Sequence, residues 1–224
     1  MNTGIIILLA VTVIVYAGFA HRVLDRLRLS DKAALLFLVA MLLGGFLPDI
    51  PLVGNISINI GGGLIPLILV GYLFSKADSW EIGRTVLAVL IATAVAYGAI
   101  KILPVEPTFN LFIDPLYLIA IIAGLVAYLA GRSRRGAFIA GVMAIILSDL
   151  LAFMENTLMG VSAATVIGGA GFFDAVVISG FIALGLAEIF GEAAERFAPL
   201  VGAKTRGEAQ KGEREKKGEG NEGE

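Results

Sequence analysis

Seven apolar stretches run along this chain, and every second gap between them carries the positive charge. The gap after the first stretch holds Arg22, Arg26, Arg28 and Lys32; two gaps on come Lys76 and Arg84, and two further on Arg132, Arg134 and Arg135. The intervening gaps hold Asp49, then Glu106 and Asp114, then Glu155, with Lys101 the only cation. Cytoplasmic loops of membrane proteins concentrate Lys and Arg in this way. The alternation therefore predicts an all-α fold, a polytopic transmembrane helical bundle of about seven spans. The N-terminus is expected outside the cell membrane and the C-terminus in the cytoplasm.

Composition agrees with a chain whose solvent is a bilayer. Apolar residues make up 58% of the 224, above the share usual in a soluble domain. There is no cysteine, which removes disulfides, thiolate metal sites and cysteine nucleophiles. The one histidine, His21, sits beside Arg22 in the first basic gap and reads as a solvated or headgroup-level residue, since metal sites usually need several ligands. No metal or cofactor is expected, and no basic module suggests nucleic acid. The first stretch, Ile5 to Ala20, has no positive charge before it and four after it. A secretory signal has the reverse order, so this stretch is expected to be a retained anchor.

The spans fall at roughly 4–20, 33–48, 56–75, 83–103, 112–130, 136–154 and 161–190, against a need for about 20 residues per crossing. The third and last are glycine-broken. The third opens Asn55-Ile-Ser-Ile-Asn59-Ile-Gly61-Gly62-Gly63 with Pro66 close behind, poor material for a helix interior. The fifth begins Asp114-Pro115, a cap followed by proline at the first helical position. The last contains Gly168-Gly169-Ala170-Gly171 and then Phe172-Phe173-Asp174. A full crossing ending at Phe190 starts near Gly171, which leaves 161–170 as a short half-helix, a re-entrant segment or an outer cap. Residues 1–190 thus form the membrane domain. Residues 191–201 read as an interfacial amphipathic helix, and 202–224, rich in Gly, Glu and Lys, as a disordered cytoplasmic tail.

Two carboxylates lie inside apolar runs, Asp149 and Asp174. An ionisable residue at membrane depth costs roughly 2.5–3.5 kcal/mol on insertion scales, so its default reading is functional. Counting from the inner charges at 1.5 Å per residue puts Asp149 at about 21 Å, Asp174 at about 24 Å, Asn59 at about 25 Å and Tyr97 at about 20 Å. All four share one level in the outer half of the bilayer, together with Gly61, Gly62, Gly63, Gly168, Gly169 and Gly171. Glycines there let backbones approach closely or expose peptide groups to a ligand. A close, dry pair of carboxylates would handle a proton, because like charges disfavour double ionisation. The bland alternative is polar glue, with Asp149 bonded between helices and Asp174 capping the last one.

Histidine- and thiol-dependent chemistry within the membrane is excluded. Gly61-Gly62-Gly63 is not followed by the Lys and Ser/Thr of a phosphate loop. Two Asp on consecutive spans suggest an intramembrane aspartyl protease, similar to the presenilin-like and prepilin-peptidase-like enzymes. Those enzymes carry Gly-x-Gly-Asp, whereas here Phe172 and Phe173 intervene before Asp174, and Ala198-Pro199-Leu200 is permuted and lies beyond the last span. The favoured expectation is cation- or proton-linked transport of a small solute. Asp149 and Asp174 would bind the ion and Asn59 orient it, with Tyr97 as a further partner, in a homodimer if symmetry is needed. Asp49, Asp114 and Glu155 would make the outer mouth acidic. A non-transporting sensor or scaffold subunit is the third reading; an enzyme is not the leading one.

The segments Asn59-Ile-Gly-Gly-Gly-Leu-Ile-Pro66 and Gly168-Gly-Ala-Gly-Phe-Phe-Asp174-Ala-Val-Val-Ile-Ser-Gly180 resemble the two signature stretches of a family of archaeal and bacterial multi-pass membrane proteins, a domain of unknown function. The resemblance covers the membrane domain, about residues 1–190. It implies membrane location and a common core of Asn59, Pro66, the 168–171 glycines and Asp174, and it carries no reaction.

Overall fold

The computed structural model describes residues 18, 27, 29–103, 115–131 and 133–190. The first expected span, the basic residues Arg22, Arg26, Arg28 and Arg132, the acids Glu106 and Asp114, the interfacial helix and the tail lie outside these residues. The described chain is mostly helical. In order come α1 (Asp31–Gly44), β1 (Ile50–Pro51), β2 (Ile56–Ile58), a π-helical turn (Ile60–Leu64) leading into α2 (Ile65–Ser75), α3 (Ser79–Ile102), α4 (Pro115–Gly131), α5 (Arg134–Leu158), β3 (Thr165–Ile167), a tight turn (Gly171–Phe173) and α6 (Ala175–Phe190).

Two of these helices, α3 with 24 residues and α5 with 25, are long and apolar enough to cross a membrane. At 1.5 Å per residue each reaches about 36 Å, against a hydrocarbon core of about 30 Å. Both begin on a side-chain cap. Asp78 accepts a 2.7 Å hydrogen bond from the Glu81 amide, and Ser133 a 2.9 Å bond from that of Gly136. Such caps contribute about 1 kcal/mol each. At the capped ends α3 begins four residues and α5 two residues before the apolar stretches that sequence alone delimits, and α5 runs on four residues past the expected 154.

Helices α3, α4 and α5 pack on one another, and polar contacts tie their ends. At one end Arg84 donates to the Gly131 carbonyl (3.1 Å), Arg135 to the Lys76 carbonyl (2.6 Å) and Ser133 to Glu81 (2.9 Å). The basic gaps after α2 and α4 therefore meet. At the other end of α3 and α5, Tyr97 and Lys101 both bond Glu155. Helix α6 lies against α4 and α5 through small residues: Ser179 donates 2.8 Å to the Gly141 carbonyl, and a Cβ on Gly124 would stand 2.8 Å from the Ser179 oxygen. Small residues at helix contacts allow this close approach.

The all-α expectation needs one correction. Of the three expected alternatives, the half-helix does not form in residues 161–170. Their core is β3, which pairs parallel with β2 (Ile56 opposite Thr165, Ile58 opposite Ile167), while β1 pairs antiparallel with the other edge of β2. Glycine and β-branched residues disfavour helix here, and the pairing satisfies backbone groups that would otherwise be orphaned away from water. Helix α6 also starts at Ala175, later than the Gly171 expected, because residues 171–173 form a tight turn that ends on Asp174.

Candidate functional site

Two strands leave the small sheet side by side, and each runs through glycines into a helix. On the first path Asn59 is 3% exposed and its side chain is committed to structure. The carbonyl oxygen accepts from the amides of Gly61 and Gly62, both at 3.0 Å, and the side-chain nitrogen donates to Asp49 Oδ1 at 2.9 Å. The Asn59 main-chain amide donates to the Ile167 carbonyl at 2.9 Å, which locks the first path to β3. Asn59 thus caps the π-helical turn, and Asp49 holds the cap. The Asn59 side chain is thereby spent on this cap and on its exposed partner, Asp49.

The glycines form a backbone junction. A Cβ on Gly61 would overlap the Met41 carbonyl oxygen and the Gly45 nitrogen. A Cβ on Gly62 would overlap the Gly168 carbonyl oxygen and come within 2.6 Å of that of Gly171. Gly168 and Gly171 also adopt φ of +72° and +60°, values that cost an L-residue about 1–2 kcal/mol. The end of α1, the π-helical turn and the turn before α6 meet here without intervening side chains. Gly63 is buried in the same junction, 2.9 Å from the Ile167 oxygen by the same measure, whereas a Cβ on Gly169 would meet Val166 first, at 3.1 Å.

On the second path Asp174 is buried and both of its oxygens are engaged. Oδ1 accepts from the Val176 amide (2.9 Å), capping α6, and Oδ2 accepts from the Ala170 amide (3.1 Å), closing the turn. Asp149, on α5, is half-buried and makes no hydrogen bond among the described residues; its electrostatic neighbour is Asp174. Tyr97 belongs to a different group. Its hydroxyl donates to Glu155, and Lys101 binds the same carboxylate while its ammonium lies 5.3 Å from the Tyr97 ring centre.

The four side chains singled out by depth therefore divide into three settings. Asp149 has Asp174 as its electrostatic neighbour, Asn59 pairs with Asp49, and Tyr97 pairs with Glu155. In the sequence Asp49 stands out only as part of an acidic mouth. No local pattern links it to Asn59, because the loop between them folds back through β1. Among the described residues no group of three or more His, Cys, Asp or Glu could hold a metal ion.

Fold and site together define a mostly helical protein, with two helices long and apolar enough to cross a membrane and a strand-and-glycine junction built beside two carboxylates. The family model described as a protein of unknown function, DUF1614, matches residues 29–186, and the chain belongs to that family. The match covers both glycine paths and both carboxylates. No curated protein and no solved structure matches the chain.

Proposed function

We propose that this chain is a multi-pass integral protein of the cell membrane that links movement of a small cation or proton to transport of a small solute. Asp149 is the carrier. The observation that supports this reading is the contrast between the two carboxylates: Asp174 spends both oxygens on backbone amides, while Asp149, its electrostatic neighbour, makes no hydrogen bond among the described residues. An ionisable group held in this way at membrane depth is free to take up and release a cation. Broken elements with peptide groups near a carboxylate are how transporters build such sites.

Seven spans, with the N-terminus outside and the C-terminus inside, remain the topology of this proposal. The meeting of Arg84 with Gly131 and of Lys76 with Arg135 at one end of the bundle supports it. So do the large apolar side chains exposed along the helices, among them Leu36, Leu43, Leu87, Leu90 and Leu129, which a bilayer would cover. A homodimer and a charged cytoplasmic tail complete the reading.

The purified full chain in liposomes tests it. An imposed pH or sodium gradient should drive a flux that Asp149→Asn abolishes without loss of folding. A flux unchanged in that variant would sink the carrier role.

A second reading, an intramembrane aspartyl protease, draws on the electrostatic influence of Asp174, the cap of α6, on Asp149 in α5. It predicts cleavage of a single-span substrate in detergent, lost in the same variant. The engagement of both Asp174 oxygens favours transport, because an aspartyl dyad needs two carboxyls available to share a proton.

A further inference from the structure

Polar groups of α3 and α5 meet at both ends of their contact and at one point between. Glu81 meets Ser133 and Arg135 at the basic end, the latter at 3.6 Å. One turn on, Thr85 Oγ1 lies 2.8 Å from where a Cβ on Gly136 would stand. Two turns further, the fully buried Ser148 hydroxyl donates to its own helix at Ala144 (2.6 Å) and reaches the Thr93 carbonyl at 3.4 Å. At the far end Tyr97 and Lys101 close over Glu155. On α3 these residues fall at 81, 85, 93, 97 and 101, a ridge of spacing four broken only at Val89. Such a ridge is the surface that packs into a neighbouring helix, and in a membrane bundle apolar or small residues would fill it as well.

One atom on this ridge stands out. The Thr93 hydroxyl is buried, in a residue only 6% exposed, and has no hydrogen-bond partner among the described residues. A threonine in a helix ordinarily bonds the carbonyl one turn back, and buried polar atoms left unpaired call for an explanation. Thr93 sits one turn below Tyr97, opposite Ser148, the chain neighbour of Asp149.

We infer that the α3–α5 seam is the access route by which the hydrated proton or small cation reaches the level of Asp149. Tyr97, Lys101 and Glu155 form its mouth, and the hydroxyls of Thr93 and Ser148 form its first inner station. The inference rests on the transport reading and deepens it. The Glu155 carboxylate attracts the cation and is held in check by Lys101. Opening that clip exposes the Tyr97 hydroxyl, and the unpaired Thr93 oxygen is the next acceptor inward. No covalent step is involved: a proton passes between oxygens, or a cation exchanges one set of oxygen contacts for the next.

The absence of native cysteine makes the route directly measurable in the full chain. Thr93→Cys and Ser148→Cys, one on each wall, would be placed in liposomes of phosphatidylcholine and phosphatidylglycerol. A small, positively charged, membrane-impermeant thiol reagent is then added to one face at a time. Ala123→Cys, fully buried on α4, reports any general opening. The expected result is modification of Thr93→Cys and Ser148→Cys from the Glu155 face, at least tenfold faster than Ala123→Cys and faster again when Lys101→Gln releases the clip and leaves the Glu155 carboxylate to attract the reagent. Labelling no faster than at Ala123→Cys, or labelling insensitive to Lys101→Gln, overturns the route. Should Thr93→Cys fail to fold, Ser148→Cys carries the same test from the other wall. Flux through Asp149→Asn decides the transport reading separately, so a sealed seam with intact Asp149-dependent flux removes the route alone.

Discussion

Gly62 and Gly168 are in backbone contact: a side chain on Gly62 would overlap the Gly168 carbonyl oxygen. The two residues come from different strand-to-helix connections, and their contact is what allows β2 and β3 to run parallel into α2 and α6. The junction has no room for even one methyl group, and tight interiors answer such insertions with backbone shifts.

Gly62→Ala should therefore destabilise the protein by about 1–3 kcal/mol or more, lowering the thermal midpoint in detergent by about 2–4 °C per kcal/mol. Gly71→Ala is the matched control. It lies in α2 with nothing within 4 Å of its Cβ position, and alanine favours helix over glycine by about 1 kcal/mol. The two substitutions should move the midpoint in opposite directions. Equal shifts would mean that the junction is not a point of close contact.

These relationships were legible in the sequence to different depths. The apolar lengths around 83–103 and 136–154 already mark α3 and α5, because a long uncharged run has few folds open to it. Asn59, Asp149 and Asp174 stand out because polar residues at such depth need a reason. What pairs with them is not written locally. Strands of two or three residues carry no measurable period, so β1, β2 and β3 are invisible until Ile56–Ile58 and Thr165–Ile167 are set side by side. Depth counting put Tyr97 level with the carboxylates but said nothing of its direction around α3. That direction takes it to Glu155.

The bond between Asn59 and Asp49 makes an apparently mild substitution severe. Asn59→Asp keeps the acceptor for Gly61 and Gly62 but loses the donor to Asp49 and sets two carboxylates 2.9 Å apart. It should destabilise the protein, and Asp49→Asn in the same chain should restore much of the loss by reversing the bond. Residues in contact couple by about 0.5–3 kcal/mol. A double-mutant cycle of thermal midpoints measures this, and strict additivity would show that the bond carries nothing.

Asp174 is a cap on both oxygens, so its substitutions should grade by how many amides remain satisfied. Asp174→Ala loses the bonds from Ala170 and Val176 and should cost about 1–2 kcal/mol. Asp174→Asn keeps one acceptor and should fall between it and the parent chain. Thermal unfolding of the three proteins in one detergent checks the order; an Asn variant less stable than the Ala variant would contradict the capping role.

Asp149 should behave in the opposite way. Removing its charge breaks no hydrogen bond among the described residues and relieves repulsion from Asp174. Asp149→Asn is therefore expected to fold at least as well as the parent chain, with a midpoint equal or a few degrees higher. In the same preparation, gradient-driven flux should fall to the level of empty liposomes. Stability gained where activity is lost is the mark of a strained functional residue, whereas a residue that merely glues helices loses stability on substitution. Measuring both quantities on one purified sample separates the two roles. A clear drop in midpoint with flux retained would assign Asp149 to structure.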